Sequence, residues 1–167
     1  MHVLDIETEG LNGNSIHCVV LRDCYTNEVE TYTPSQIEDG LHAIMSKDGL
    51  VGHNLINFDL PFIARLYPWF EYPEDKVVDT LVCSRLIWTD LSETDHSRKV
   101  EFPSKLKGSH SLAAWGHRLK CYKGDYQGGW DSFSLSLIHI SELTRRTPIA
   151  YAVFCLKKKG GGGGGGG

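Results

Sequence analysis

Leu50-Val51-Gly52-His53-Asn54-Leu55-Ile56-Asn57-Phe58-Asp59-Leu60-Pro61-Phe62-Ile63-Ala64-Arg65-Leu66 divides into two elements. Leu50 to Asn54 reads as a short buried strand, and Phe58 to Leu66 as a helix with Pro61 tolerated in its first turn. Strands linked by such helical crossovers run parallel, so the stretch points to an α/β sheet. It also sets Asp59 near a helix N-terminus at the carboxyl end of a strand. Open α/β sheets collect ligands there, and the helix dipole favours an anion. By itself, Asp59 reads equally as a helix-start carboxylate or as a catalytic one.

Working outward, Met1-His2-Val3-Leu4-Asp5-Ile6-Glu7-Thr8 reads as a strand in which Val3, Asp5 and Glu7 share one face, because strand side chains alternate. Two like charges two residues apart on one face repel unless a cation lies between them, which suggests metal ligation; the plain alternative is a solvated strand end. After a turn at residues 10–14, Ile16 to Leu21 and Val29 to Tyr32 read as two further strands that meander antiparallel. A helix follows from about Ser35 to Lys47, with Ile37, Leu41, Ile44 and Met45 on one face. Two capping boxes compete for its start, Thr33-x-x-Gln36 and Ser35-x-x-Glu38.

The helix expected from Phe58 stops before Pro68. Lys76 to Val78 reads as a fifth short strand, Asp79 to Trp88 as a helix, and His110 to Leu119 as another that buries Leu112, Trp115, Gly116 and Leu119. Between those helices, Thr89 to Gly108 is polar and charged and reads as a long surface loop. The fold class is therefore α/β, a mixed sheet of about five strands flanked by helices.

Asp5-x-Glu7-Thr8 followed by Asn54-x-x-x-Phe58-Asp59 resembles the first two motifs of the DEDD 3'-5' exonucleases, which have a ribonuclease H-like three-layer fold. The resemblance narrows with Val78-Asp79-Thr80-Leu81-Val82-Cys83-Ser84-Arg85-Leu86-Ile87 and with Gly108-Ser109-His110-Ser111-Leu112-Ala113-Ala114-Trp115-Gly116-His117-Arg118-Leu119. These look like segments, in the same order, of the proofreading domain of short-tailed phage family A DNA polymerases. The resemblance runs from Met1 to about Phe133.

It implies that Asp5, Glu7 and Asp59 hold two Mg²⁺ or Mn²⁺ ions roughly 3.5–4 Å apart, one activating a water and the other stabilising the leaving 3'-oxygen. Carboxylates are the ligands such hard cations prefer. By the same similarity Thr8 and Leu11 touch the terminal nucleotide of a single-stranded DNA 3' end, and Asn54 supports the site by hydrogen bonding. Leu11 reads equally as a core or turn residue. The implied setting is the cytoplasm of an infected bacterium, with a polymerase module downstream.

The sequence departs from the family beyond Trp130-Asp131-Ser132-Phe133. A complete member carries there a Tyr-x-x-x-Asp helix that supplies a fourth carboxylate, and no such pair occurs in this chain. Residues 135–167 instead read as translated adapter sequence ending in three lysines and eight glycines, to be set aside from fold reasoning like a fusion scar. The expected organisation is an exonuclease-like domain over 1–134, truncated before its third motif, and a non-native tail over 135–167.

The tail holds five of the 17 Lys+Arg and one of the 21 Asp+Glu, so the body carries 12 against 20, a net charge of −8. Nucleic-acid binders are usually basic, so the acidity argues against broad phosphate binding and leaves the contact to metals and a local patch. Arg98, Lys99, Lys105, Lys107, Arg118, Lys120 and Lys123 form such a cluster, which reads either as a solvated face or as a DNA contact. Cys18, Cys24, Cys83 and Cys121 make no CxxC or zinc pattern, pointing to reduced thiols. Nothing suggests a signal peptide or a membrane span. A hydrolase built on His lacks its motifs, since neither Gly-x-Ser-x-Gly nor His-Glu-x-x-His occurs. The competing readings are a free-standing DEDD exonuclease or ribonuclease and an inert metal- or nucleic-acid-binding fragment.

Overall fold

The structure is a computed structural model and describes residues 1–97 and 101–120. Arg98, Lys99, Cys121, Lys123, the end of the expected domain and the tail assigned to 135–167 lie outside the described residues.

Alternation in the first strand, β1 (His2–Thr8), decides the layering. Its even residues Leu4 and Ile6 enter the main core, and Val3 enters a smaller cluster on the opposite face. Asp5 and Glu7 share the face of Val3, as strand geometry requires. β2 (Ile16–Asp23) pairs antiparallel with β1, and β3 (Val29–Tyr32) antiparallel with β2. β4 (Leu50–Gly52) lies parallel to the other side of β1, and β5 (Val77–Asp79) parallel to β4. The sheet order is β3-β2-β1-β4-β5. This mixed five-stranded sheet is the α/β fold expected, and it is consistent with a ribonuclease H-like arrangement.

Helices cover both faces. α1 (Ile37–Met45) and α2 (Leu60–Leu66) place Ile37, Leu41, Ile44, Phe62 and Ile63 against Leu4, Ile6, Val19, Leu21 and Leu50. Burying a side chain such as Leu41 completely contributes about 1.5–3 kcal/mol, so this face carries most of the drive to fold. α1 is shorter than expected because Pro34–Gln36 forms a separate 3-10 turn. Of the two competing capping boxes the Thr33 one forms: the Gln36 side-chain oxygen accepts from the Thr33 hydroxyl at 3.0 Å and from its N–H at 3.4 Å. On the other face, Val3, Val51 and Cys24 meet Leu112 of α5 (Leu112–Leu119). α3 (Thr80–Ile87) follows directly from β5.

The polar stretch 89–108 is not simply a surface loop. It contains α4 (Leu91–Ser97) and a 3-10 turn at Ser104–Leu106. Leu91 packs on Trp115, and Asp95 is buried by an ion pair with Arg118. One apolar residue and one neutralised charge anchor the segment, which leaves little periodicity to detect. Arg118 therefore leaves the basic surface cluster: its side chain is 2% exposed and committed to Asp95.

A candidate carboxylate site at the end of the sheet

β4 pairs with β1 only at His2–Leu50 and Val3–Val51. Beyond Val3 that edge of β1 needs another partner, and Asp59 supplies one: the Ile6 N–H donates to Asp59 Oδ1 at 3.3 Å. The sequence suggested a helix beginning at Phe58 with Asp59 at its first turn. The chain instead winds as a π-helical turn from Leu55 to Asp59 before entering α2, and Asp59 makes no cap hydrogen bond. The carboxylate turns inward across the sheet rather than serving the helix start. π-Helical turns recur at functional sites.

Two positions permit this geometry. Gly52 lies where the turn folds back onto β4: a Cβ there would stand 2.6 Å from Leu55 Cγ and 2.8 Å from the Leu4 carbonyl oxygen. Gly52→Ala is therefore expected to destabilise the chain by about 1–3 kcal/mol through overpacking, measured as a lower urea midpoint with the slope unchanged. Asn54 has a left-handed backbone, φ 72°, a region that Asn enters more readily than most side-chain-bearing residues.

Asp59 is buried, and burial pushes its carboxyl well above the usual carboxylate range, with the Asp5 charge pushing it further and Asp79 adding to it. The Ile6 N–H opposes that rise without cancelling it. Asp5 and Asp59, distant in sequence, are thus brought into electrostatic contact. Glu7, half-buried, follows Asp5 on the same strand face. Thr8 is buried and its hydroxyl donates to the Gly10 carbonyl at 3.1 Å. Leu11 stands in the turn after β1 with 78% of its surface exposed. The Asn54 N–H donates to Asp79 Oδ1 at 2.9 Å.

Oxygen donors of this kind suit a hard divalent cation, which would relieve the repulsion between Asp5 and Asp59. No group of three His, Cys, Asp or Glu among the described residues is gathered closely enough to hold a metal ion. The fit therefore rests on the Asp5–Asp59 pair, with Glu7 along the strand.

Over three quarters of its length this chain is homologous to phage DNA-directed DNA polymerases. It is 39% identical over 140 residues to the DNA-directed DNA polymerase of Escherichia phage T7 and 37% identical over 140 residues to that of Enterobacteria phage T3. Each match covers 76% of this chain and 20% of the relative, so the chain spans about a fifth of the length of these polymerases. No protein-family model matches the chain. Among the described residues no helix is long and apolar enough to cross a membrane.

Sequence reasoning missed Asp79. The local pattern reads it as the first residue of a helix, whereas its buried carboxylate accepts from the backbone N–H groups of Asn54, Ile56 and Leu81 at 2.9, 3.1 and 2.9 Å. An Asp immediately before an apolar helix is a capping signal, but the two bonds to the 54–56 segment leave no trace in local sequence.

His53 does not face the carboxylate pair through its Nδ1, which bonds the Thr80 hydroxyl at 2.9 Å, while that hydroxyl donates to the Gly52 carbonyl. A cavity of about 560 Å³ opens beside it, lined by His53, Asn54, Leu81, Arg85 and residues 108–112. Burial pushes the His53 imidazole down to about 4, opposed by Asp79 and by a hydrogen bond with the His110 backbone and helped by the charges of Arg85 and His110. Its folded value lies below its unfolded one, so the unfolded chain takes up the proton first as pH falls. The stability from burying neutral His53 is full above pH 6.5 and is lost between there and about 4, by roughly 3 kcal/mol at most. Urea unfolding of the wild type and His53→Gln across this range checks it: the advantage of the wild type should shrink with acid, and a constant difference would contradict the assignment.

Proposed function

We propose that this chain is the 3'-5' exonuclease part of a phage replicative DNA polymerase, removing nucleotides from a single-stranded DNA 3' end with two Mg²⁺ or Mn²⁺ ions. The observation that carries the reading is the buried Asp59 carboxylate, held by the Ile6 N–H and set against the charge of Asp5 in β1. Homology to phage DNA-directed DNA polymerases over three quarters of the chain agrees with it.

Asp5, Glu7 and Asp59 would hold the cations. When bound, these would activate a water and stabilise the departing 3'-oxygen. The chain's own residues do the rest. The Ile6 N–H holds the Asp59 carboxylate in place, and burial of that carboxylate keeps competing water away from one side of the site. Exposed Leu11 offers an apolar surface to the terminal base, and Thr8 fixes the turn that presents Leu11 through its bond to Gly10. The cavity leading off Asn54, with Arg85 on its wall, suits the phosphates of the preceding nucleotides. A polymerase module would follow downstream, in the cytoplasm of an infected cell.

Asp5, Glu7 and Asp59 are the carboxylates of this chain that match the family's motifs, and slow turnover is expected of the chain as it stands. The absence of a gathered triad among the described residues favours, as the second reading, a fragment that binds metal or DNA without turnover. Incubation with a 5'-labelled single-stranded oligonucleotide and Mn²⁺ separates the two. Slow shortening from the 3' end with release of mononucleotides supports the nuclease. Binding without shortening at stoichiometric protein supports the inert fragment.

A further inference from the structure

Asp79 ends β5, caps α3 and is 3% exposed, and its carboxylate spends only one of its three backbone bonds on the helix. The other two reach across to Asn54 and Ile56, the entry of the π-helical turn that delivers Asp59. At the far end of the same turn, Asp59 meets the Ile6 N–H. A rigid link therefore runs from β5 through the turn to β1, and its geometry is set at one end by a residue that touches neither Asp5 nor Ile6 through any bond described. A helix cap alone would need a single acceptor, which Ser or Thr supplies equally well. Only a two-oxygen acceptor of Asp length serves Leu81 and the turn together.

We infer that Asp79 is a positioning residue of the carboxylate site, setting the 54–59 turn so that Asp59 stands against Asp5. Its importance to catalysis rests on the function proposed above; its hold on the turn does not.

Asp79→Asn separates the two roles. One oxygen remains for Asn54 and Leu81, but the new amide presents a donor to the Ile56 N–H, and the repulsion opens the turn. Amide hydrogen exchange by NMR on the full chain reads the result. Expected is exchange at Ile56 and Ile6 faster by about tenfold or more, with Leu81 and the sheet amides of Val19 and Leu21 unchanged. Ile6 is the decisive reporter, since it contacts Asp59 and a purely capping role would not move it. Unchanged Ile6 exchange alongside a loosened Ile56 would overturn the inference. Should Asp79→Asn fail to fold, Asp79→Ser keeps a helix cap while falling short of the turn, and the same reporters apply. The nucleotide-release assay answers a separate question: no release from the wild type sinks the proposed nuclease, whereas Ile6 exchange alone decides the role of Asp79.

Discussion

Replacing Arg118 by Ala is expected to cost the fold about 3–5 kcal/mol, a large share of the stability of a small domain. Arg118 Nη2 lies 2.6 Å from Asp95 Oδ2 and its Nε 3.1 Å from Oδ1, a bidentate pair whose side chains are 2% and 0% exposed. The guanidinium stands over the rings of Trp115 and Phe102 at 4.8 and 5.4 Å. Asp95 also accepts the Gly108 N–H at 3.0 Å, so one carboxylate ties α4 and the 104–108 segment to α5. Truncating Arg118 strands that carboxylate inside the protein, and the cost is mainly that of an uncompensated buried charge. The double variant Asp95→Leu with Arg118→Met, which removes both charges, should be less damaging than Arg118→Ala. Urea unfolding measures both, and a loss below about 1 kcal/mol for Arg118→Ala would mean the pair behaves as a solvated surface bridge.

The second large effect is expected at Asp59. Asp59→Asn should lower Mn²⁺-dependent nucleotide release on the order of a hundredfold or more, the scale on which removing one transition-state-stabilising group is felt. The same change should make the cation-free protein more stable. The folded-state value of Asp59 lies above its unfolded one. Folding therefore holds a proton that the unfolded chain releases, and stability is lost as pH rises through the folded value. Asn avoids that loss. In chelator-containing buffer, Asp59→Asn should unfold at higher urea than the wild type at neutral pH, the gap closing as pH falls below the usual carboxylate range. A site residue that costs stability is a familiar mark of function. A variant less stable than the wild type at neutral pH would contradict the burial argument.

How much of this was legible beforehand differs by element. β1, β2 and β3 follow from alternation and turn residues, so the split of Leu4 and Ile6 from Val3, Asp5 and Glu7 between faces could be read directly. Asp59 could be named as a candidate, but its direction could not. The π-helical turn is held by Asp79, twenty-odd residues onward, and by the unpaired edge of β1, neither of which registers in the local pattern of residues 50–66. α4 was hidden for the related reason that Asp95 is neutralised by a distant Arg118 counted among the surface cations. His53, beside Asn54 in sequence, turns its Nδ1 toward Thr80 instead of the carboxylates, again because its partner arrives from α3. Local periodicity set the elements; long-range polar bonds set the site.

The most direct test of the central claim is the binding of Mn²⁺ to the full chain, followed by electron paramagnetic resonance of the free ion, for the wild type, Asp5→Asn and Asp59→Asn. The account predicts saturable binding by the wild type that each substitution weakens by about tenfold or more, because each removes a carboxylate from a hard-cation site. Equal binding by all three, or none by the wild type, would contradict the assignment of Asp5 and Asp59 as a divalent-cation site.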